Sequence, residues 1–566
     1  MGLCLDCSQI IHTSDPKMPT SYEQNNAAAG AVEKDLFGEK QWDASSDAHI
    51  EEVKGTATVT DEVTELSAIE ATAASTAAWL ISITVSLGGF LFGYDTGYIS
   101  SVLVSIGTSL GHILSSSEQE LVTSLTSGGA LIGAIMAGLT ADRFGRKTPI
   151  WLACATFIIG TVLQTAAYSV PQFAVGRSIV GLGVGSAAMV VPLYIGELAP
   201  AKYRGRMIAF NNMSVTLGQL VASAIGAGLA QVEGEGWRGT VGIGAAPAVG
   251  LAIMLLWCPE SPRQLVAHGR LEEAGKVLMR IYPTSTSSQR AAKIRSIEMS
   301  IHEATSSVAQ ESLWVAFRRI FTTPATGRAV LTASLVMAIS QLGGFNTLMY
   351  YSATLFAIVG FTNATAVAIT VSGTNFVFSV VNLLLVDKFG RRILLCISTL
   401  GMSICMLIAV IAFRWIPIDT STLTLEEGAE VGWAGILVLV TIILYVAFYS
   451  SGVATIAWIG TELIPLEVRA LGTMVNTVTC WSTNIIIAST FLSMMKGMTP
   501  SGAFGFYCGI CFVGWVFIVI CYPDVKGMPL ETIRDVFRHG FGRKYSKQWQ
   551  REHKHERQEV QQSFGH

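Results

Sequence analysis

The sequence predicts an all-α polytopic membrane protein whose twelve transmembrane helices form two pseudo-symmetric halves of six. Composition is the first indication, because 51% of the 566 residues are hydrophobic and 14% are charged, whereas soluble domains carry about 25% charged residues. Segment length is the second, because twelve apolar segments can each cross the roughly 30 Å hydrocarbon core of a bilayer as a helix. Internal repetition is the third, because motifs of the first six segments recur in the last six.

Five regions follow from these segments. Residues 1–76 are polar, lack a sustained apolar period and are predicted to be a disordered cytoplasmic tail. The six-helix halves cover 77–258 and 328–522, a cytoplasmic helical linker covers 259–327, and residues 523–566 form a cytoplasmic C-terminal tail. The segments lie near residues 77–104, 121–140, 149–168, 172–196, 207–230, 238–258, 328–357, 364–386, 393–413, 433–461, 470–495 and 502–522.

The positive charges of the loops predict the orientation. Arg and Lys concentrate in the linker and in the loops after segments two, four and eight, and they are sparse in the loops on the other side. The positive-inside rule then places both termini and the linker in the cytoplasm. Within the linker, residues 269–280 have the period of an amphipathic helix lying under the bundle.

Two motifs occur once in each half. Residues 141–147 (ADRFGRK) recur as 386–392 (VDKFGRR), after the second helix of each half. The pattern Glu-Leu-x-Pro-x-x-x-Arg occurs at 197–204 and again at 462–469, after the fourth helix of each half. Parallel repeats of six helices, with a substrate site between them near the midplane, are a transporter architecture.

Two ionisable residues lie well inside apolar segments. Asp95 is the only charged side chain of segment one, and Arg177 lies in segment four. Segment one runs outward and segment four inward, so both residues fall at a comparable depth in the outer half. A lone charge there is expensive, which makes the two natural partners. A carboxylate can be neutralised and a guanidinium cannot, which favours a protonatable switch; a permanent structural ion pair is the alternative.

Several motifs together resemble one known family. They are Phe92 to Ser100, Asp142 to Lys147, Gly176-Arg177, Pro192 to Gly205, Pro259 to Arg263 and Asp387 to Arg392. With these motifs the chain resembles the sugar porter family of the major facilitator superfamily over about Trp79 to Leu530. Residues 216–219 (TLGQ), 344–352 (GFNTLMYYS), 371–376 (VSGTNF) and 488–492 (ASTFL) are similar to the fungal myo-inositol transporters.

The resemblance implies the major facilitator fold and a role for individual residues. Asp95 matches the acidic position of proton-coupled members, and Arg177 matches the arginine that pairs with it. The implied substrate-binding residues are Phe92, Asn212, Gln219, Gln341, Asn346, Tyr350, Tyr351, Asn375, Trp458, Trp481 and Asn484. Neutral amides both donate and accept hydrogen bonds, which suits a ring with several hydroxyls, and Tyr and Trp offer apolar faces to its C–H surface. Any one amide, taken alone, fits equally well a role in joining two helices.

A cytoplasmic gate of ion pairs across the inner helix ends is also implied by the resemblance. Its residues are Asp142, Arg143, Arg146, Glu197 and Arg204 in the first half and Asp387, Arg391, Arg392, Glu462 and Arg469 in the second. In the family such pairs hold the inner side shut while the site faces outward. The alternative is that the basic residues only fix the orientation of the chain.

The second half departs from the family pattern at three positions. Ser340 stands where the family has an amide, Ala457 where it has Pro before a tryptophan, and Cys480 where it has an amide. Because Pro removes a backbone hydrogen bond and bends a helix, Ala457 predicts a straighter segment ten. These changes leave the exact substrate open.

The sequence therefore predicts a plasma-membrane carrier that imports myo-inositol, or a related polyol or hexose, with a proton by alternating access. A hexose transporter and a transporter-like sensor that binds without carrying are the alternatives. No nucleophile–base set or metal cluster is visible, so an enzyme, a metal site and a cofactor other than the coupling proton are not expected. The expected partners are the small substrate and the bilayer, without nucleic acid, and a monomer is expected to suffice.

Overall fold

The structure is a computed structural model that describes residues 65, 66, 68, 69, 75–200, 203–232, 234–309, 318, 320, 322–419, 423–425, 432–464, 468–525, 528 and 536–552. Among these, the side chains of residues 303–309, 386–388, 461, 462, 469, 470 and 539 are not described. The predicted N-terminal tail lies almost wholly outside the described residues, and so do the side chains of Asp387, Glu462 and Arg469. From Glu65 onward the described chain forms one compact unit.

Seven helices account for predicted segments one to six. Serine side chains start the first two of them: Ser75 Oγ accepts a hydrogen bond from the Ala78 N–H, and Ser115 forms a capping box with Glu118. Segment six is divided in two at Gly244. The helices are α1 (Thr76–Ser105), α2 (Ser116–Phe144), α3 (Lys147–Thr165), α4 (Val170–Leu198), α5 (Arg204–Leu229), α6 (Gly236–Ile243) and α7 (Ala245–Leu255).

The linker contains three helices, α8 (Pro262–Ala267), α9 (Leu271–Ile281) and α10 (Ser287–Ala309). In α9 the residues Ala274, Val277, Leu278 and Ile281 are buried, a spacing that puts them on one face of a helix. The charged Glu272 and Lys276 pair with each other on the exposed side. The structure thus has the amphipathic helix that the sequence predicts in this linker.

The second half is built from helices that are broken more often than those of the first. A two-residue antiparallel hairpin pairs Ile418 with Leu425 and Asp419 with Thr424. The elements are α11 (Pro324–Leu342), α12 (Phe345–Val359), α13 (Ala364–Phe389), α14 (Arg391–Phe413), β1 (Ile418–Asp419), β2 (Thr424–Leu425), α15 (Trp433–Ser451), α16 (Val453–Ile459), α17 (Arg469–Ala488), α18 (Phe491–Cys521) and α19 (Arg543–Glu552).

Eleven helical stretches of the described chain are long and apolar enough to cross a membrane. The polar helix α17 is not among them. Helix α18 consists of two helical arms, because Thr499 has a non-helical φ of 66° and ψ of 156° directly before Pro500. The rings of Phe491 and Phe504 would be about 20 Å apart along an unbroken helix, yet their centroids are 6.4 Å apart. The chain therefore reverses at Thr499, and α17 with the first arm of α18 makes the eleventh of twelve crossings.

Segments seven and ten are interrupted near their middle. Segment seven breaks between α11 and α12 at Gly344, whose φ of 98° is left-handed and suits glycine. Segment ten breaks between α15 and α16 at Gly452, with φ −146° and ψ −76°. The expectation of a straighter segment ten is therefore wrong. Ala457 lies within α16, so the bend comes from the preceding glycine instead of a proline.

The sequence repeat is also a structural repeat. Gly145 ends α2 with φ 85°, and Gly390 follows α13 with φ 83°. A residue with a Cβ rarely adopts this left-handed conformation. Each glycine turns the chain between the second and third helix of its half, so the two Asp-x-Phe-Gly-Arg motifs occupy equivalent positions.

Glycines let α2 and α4 approach each other at backbone distance. A Cβ atom on Gly129 would collide with the Ser178 carbonyl and one on Gly181 with the Thr126 carbonyl, whereas one on Gly128 would have no heavy atom within 4 Å. Small residues serve this purpose in membranes, where close packing replaces the hydrophobic drive between helices. This contact holds α4 and its Arg177 in place within the first half.

We therefore expect Gly129→Ala to destabilise the protein by roughly 1–3 kcal/mol, since the added methyl overpacks a backbone contact. The thermal unfolding midpoint of the purified protein in detergent measures the effect. Gly128→Ala is the matched control, with an expected midpoint near that of the wild type. Equal midpoints for both variants would contradict the packing described here.

Candidate functional site

A cavity of about 590 Å³ lies between the two halves. Its lining comes from α1, α4 and α5 of the first half and from α11, α12, α13, α14, α15, α16 and α17 of the second. It reaches Arg206 and Arg391, at the end of the bundle that carries the basic loops, here called the Arg-rich end. Nine of the eleven predicted substrate residues line it: Phe92, Asn212, Gln219, Gln341, Asn346, Asn375, Trp458, Trp481 and Asn484.

One chain of amides crosses the cavity from α5 to α13. Asn375 Nδ2 donates to Gln219 Oε1 at 2.6 Å, and Gln219 Nε2 donates to Thr96 Oγ1 at 3.1 Å. Asn375 Oδ1 in turn accepts from Ser450 Oγ at 2.6 Å. The predicted residues Gln219 and Asn375 thus join the halves directly while both remain at the cavity wall.

A second chain of amides joins α17 to segment seven. Asn484 Nδ2 donates to Gln341 Oε1 at 3.2 Å, and the same oxygen accepts from Asn346 Nδ2 at 2.5 Å. Asn484 Oδ1 accepts from Ser127 Oγ of the first half at 2.9 Å and from the Tyr350 hydroxyl at 3.2 Å. Asn484 is therefore the residue through which α2 reaches the amides of the second half.

Two aromatic pairs form apolar walls. Phe92 packs edge-on against Trp481 with ring centroids 5.6 Å apart, and Phe345 stacks on Tyr449 at 3.9 Å. Trp458 also lines the cavity. Faces of this kind suit the C–H surface of a sugar or cyclitol ring.

Three buried polar atoms at the cavity have no hydrogen-bond partner in the described structure. They are Asn211 Oδ1, Asn382 Oδ1 and Trp481 Nε1. Buried polar atoms normally have a partner, which makes these two acceptors and one donor candidates for hydrogen bonds to a bound molecule. Asn212 lines the same cavity next to Asn211, and its side chain makes no hydrogen bond to a described residue.

Tyr350 and Tyr351 are not among the residues that line the cavity. The Tyr350 hydroxyl donates to Asn484, and the Tyr351 hydroxyl donates to the Ala488 carbonyl at 2.7 Å. The Tyr351 ring packs against Phe491 at 5.5 Å. Both tyrosines therefore contact α17, and a direct contact of either one with substrate stays a prediction.

Asn211, Asn382, Phe345 and Tyr449 are among the lining residues that sequence reasoning missed. Helical spacing carried a signal for the two asparagines. Asn211 precedes Gln219 by two helical turns and Asn382 follows Asn375 by two, so each shares a face with a predicted residue. The aromatic pair had no such signal, because its stacking depends on the break at Gly344.

The predicted ionisable partners are in contact. Arg177 Nη1 lies 2.6 Å from Asp95 Oδ1, and each side chain is 1% exposed. Arg177 Nε donates to the Val122 carbonyl at 3.0 Å, and Nη1 also donates to the Tyr98 hydroxyl at 2.9 Å. The pair is thus sealed from the cavity, although Phe92 lines the cavity one turn away on the same helix.

The predicted gate residues form a cluster within the first half and the linker. Arg146 pairs with Glu197 and Asp142, each at 2.8 Å, and its backbone N–H donates to Glu260 at 2.9 Å. Burial lowers the pKa of the Arg146 guanidinium, but the hydrogen bonds and charges of Glu197 and Asp142 outweigh burial and raise that pKa overall. The cluster holds the loop between α2 and α3 against α4 and α8.

The other gate residues contribute less to this cluster. Arg143 and Arg204 are exposed, and Arg392 donates to the Val519 carbonyl of its own half at 2.9 Å. The ion pairs found for the described gate residues lie within the first half. The side chains of Asp387, Glu462 and Arg469 lie outside the described residues, so the pairing across the inner helix ends stays a prediction.

The end of the bundle opposite the Arg-rich end is closed by contacts between the halves. Ser100 and Ser352 hydroxyls are 2.9 Å apart. Glu120 of α2 accepts from the Ser493 N–H at 2.7 Å and from Ser493 Oγ at 2.6 Å. Ser493 lies in the first turn of α18, whose N–H groups have no helical partner. Glu120 was overlooked in the sequence because it sits one residue before the predicted start of segment two.

Comparison with known proteins agrees with these features. Residues 81–537 match the family described as "Sugar (and other) transporter". The chain is 41% identical to myo-inositol transporter 1 of Cryptococcus neoformans var. grubii, covering 83% of each protein. It is 38% identical to myo-inositol transporter 2 of Schizosaccharomyces pombe, covering 89% of this chain and 90% of the relative. It is also 38% identical to myo-inositol transporter 1 of Saccharomyces cerevisiae, covering 84% and 82%.

Solved structures of the xylose transporter XylE from E. coli share the fold. A partially occluded inward open conformation superposes with a TM-score of 0.65 at 26% identity, covering 80% of this chain and 100% of XylE. The proton:xylose symporter XylE bound to 6-bromo-6-deoxy-D-glucose gives a TM-score of 0.67 at 25% identity, covering 82% and 99%.

The Glu120–Ser493 contact must open if this end of the cavity is ever exposed. We expect Glu120→Gln to favour the open form by about 1 kcal/mol, because it removes the charge from two charge-assisted hydrogen bonds. The readout is the maleimide labelling rate of a cysteine at Ser352, which is buried at this interface, in purified protein. About fivefold faster labelling is expected.

Glu118→Gln is the control for this experiment, because Glu118 lies on the same helix but caps its own start through Ser115. The control is expected to label at the wild-type rate. If Glu120→Gln labels no faster than Glu118→Gln, the contact does not hold this end closed.

Proposed function

The chain belongs to the sugar transporter family, whose members are membrane transporters and not enzymes, and on that premise we propose that it imports myo-inositol with a proton. Transport proceeds by alternating access of the cavity between the two halves, with a related polyol or a hexose as the other possible cargo. The single observation that carries this proposal is the cavity itself, whose wall is made of neutral amides and aromatic rings with three polar atoms left unpaired. The multi-pass chain works in the plasma membrane with both termini in the cytoplasm.

A neutral, hydroxyl-rich ring is the cargo that the cavity suits best. Its charged lining residues in the described structure are Arg206 and Arg391, both at the Arg-rich end, and no carboxylate lines it. Hydroxyls of such a ring can donate to Asn211 Oδ1 and Asn382 Oδ1 and accept from Trp481 Nε1. Three curated fungal relatives carry the name myo-inositol transporter, which favours a cyclitol. The sugar bound to XylE keeps a hexose as the second candidate.

The positive-inside rule supports a cytoplasmic Arg-rich end. The cavity then opens inward, while the Ser100–Ser352 and Glu120–Ser493 contacts close the outer side. Reaching the outward-open form requires these contacts to separate and the inner helix ends to approach. The exposed Arg143 and Arg204 are free to meet the acidic residues of the second half in that form.

Proton coupling rests on the Asp95–Arg177 pair. Protonation of Asp95 from outside cancels the attraction to Arg177 and lets the halves rearrange around substrate. Loss of that proton to the cytoplasm restores the pair, which is the arrangement seen here. A membrane potential contributes about 2.3 kcal/mol per charge for each 100 mV, enough for a large accumulation of a neutral cargo.

We expect Asp95→Asn to abolish accumulation of labelled myo-inositol against its gradient while leaving exchange across the membrane measurable. The asparagine cannot carry a proton, so uptake loses its driving force. Cells that lack their own carriers are assayed for the internal-to-external ratio with and without a protonophore. A drop of at least about tenfold is expected, the equivalent of some 1.4 kcal/mol.

Glu118→Gln, which neutralises a partly exposed carboxylate, serves as the control and should accumulate like the wild type. Wild-type accumulation that is unchanged by the protonophore would contradict proton coupling. So would an Asp95→Asn variant that accumulates normally.

Trp481→Phe tests the substrate contacts, since it keeps the aromatic wall and removes only the unpaired Nε1–H. A net neutral hydrogen bond contributes about 1 kcal/mol, so KM for myo-inositol should rise about fivefold with kcat little changed. Trp257→Phe, at an exposed position, is the control. An unchanged KM would remove Trp481 from the substrate site, and glucose competing better than myo-inositol would favour the hexose alternative.

A further inference from the structure

Tyr98 lies one turn beyond Asp95 on α1 and faces two acceptors at once. Its hydroxyl oxygen is 2.9 Å from Asp95 Oδ1 and 3.0 Å from Gln164 Oε1 of α3. The same oxygen accepts a hydrogen bond from Arg177 Nη1 at 2.9 Å. All four side chains are buried.

The hydroxyl has only one proton to give. A phenol donates a single hydrogen bond and accepts through its oxygen, and Arg177 already occupies it as acceptor. Asp95 Oδ1 and Gln164 Oε1 therefore compete for the same proton. The competition involves only a rotation about the C–O bond, because the heavy atoms are within hydrogen-bond distance in both cases.

Two other atoms of this cluster are left unpaired. Asp95 Oδ2 and Gln164 Nε2 are buried and have no hydrogen-bond partner in the described structure. Oδ2 is thus the oxygen that can receive a proton, while Oδ1 faces Arg177 and Tyr98. A carboxylate with one unpaired oxygen can take up a proton there without first breaking the hydrogen bonds to its other oxygen.

We propose that Tyr98 and Gln164 are positioning residues that form a two-position hydroxyl switch controlled by the charge of Asp95. When Asp95 is charged, the Tyr98 hydroxyl donates to Oδ1 as a charge-assisted hydrogen bond. When Asp95 takes up a proton at Oδ2, Oδ1 becomes a weaker acceptor and the hydroxyl turns to Gln164 Oε1. Tyr98 keeps its own proton throughout, and the transported proton enters and leaves through Asp95 alone.

Tyr98 is the titratable residue whose hydrogen bond can respond to the charge of Asp95. Among the described residues packed around Asp95, Arg177 of α4 is the cation, and its Nε also donates to the Val122 carbonyl of α2. The other titratable groups nearby bond elsewhere: Tyr350 of α12 to Asn484, Glu120 of α2 to Ser493, and Tyr94 of α1 to the Thr240 carbonyl. Gln164 is the contribution of α3 and is neutral.

The inference rests on the proposed proton coupling and makes predictions of opposite sign for its two residues. Uptake requires protonated Asp95 and falls as external pH rises. Tyr98→Phe removes a donor to the charged carboxylate, so protonation persists to higher pH and the midpoint of the uptake–pH curve should rise by about one unit. Gln164→Met removes the acceptor used in the protonated state, so the midpoint should fall, by about half a unit.

The double variant decides whether Gln164 acts through the hydroxyl. With Tyr98→Phe already present there is no hydroxyl proton for Gln164 to accept, so adding Gln164→Met should not shift the midpoint of the uptake–pH curve any further. Tyr94→Phe is the matched control, because its hydroxyl lies one turn earlier on α1 and bonds a backbone carbonyl. Its midpoint should equal the wild type. If Gln164→Met does not reach the membrane, Gln164→Leu replaces it.

The outcomes separate this inference from the proposal beneath it. A wild type whose uptake has no pH dependence overturns the proton coupling and the switch together. A pH-dependent wild type in which both single variants shift the midpoint in the same direction, or not at all, overturns the switch alone. Additive shifts in the double variant would show that Gln164 acts independently of Tyr98 and would also overturn it.

Discussion

The constraint on which the structure depends is that an ionised carboxylate cannot stay alone inside a membrane helix. Asp95 is fully buried, and so its charge is tolerated only beside Arg177. That requirement fixes the contact between α1 and α4, and the close packing of α2 on α4 at their glycines holds α4, with its Arg177, in position. Because protonation of Asp95 weakens this ion pair, a proton gradient can change the conformation of the rest of the chain.

The proposed substrate site lies apart from this pair, at the boundary between the halves. Gln219 with Asn375 and Asn484 with Ser127 are hydrogen-bonded across that boundary. The same amides line the cavity, and movement of the halves must therefore alter the groups that face the cargo. In the proposed mechanism, this shared use lets a neutral ring, which carries no charge, influence the equilibrium between conformations.

Much of this architecture could be predicted from the sequence, because hydropathy, loop charge and the repeated Asp-x-Phe-Gly-Arg motif depend on local composition. The pairing of Asp95 with Arg177 was also predictable, because a buried charge needs a partner and the two residues fall at a similar depth. The break at Gly452 was not, because among so many glycines nothing local marks the one that bends a helix. Tyr98 carried a weak signal in its three-residue spacing from Asp95, but its competition for Gln164 depends on the packing of α3, which one sequence does not reveal.

Simultaneous movement of proton and cargo is the most direct test of the account. Cells or proteoliposomes containing the protein are given myo-inositol in lightly buffered medium while external pH and labelled uptake are recorded together. The account predicts an immediate alkalinisation in proportion to uptake by the wild type, and none by Asp95→Asn. Wild-type uptake of myo-inositol without any change in external pH would contradict it.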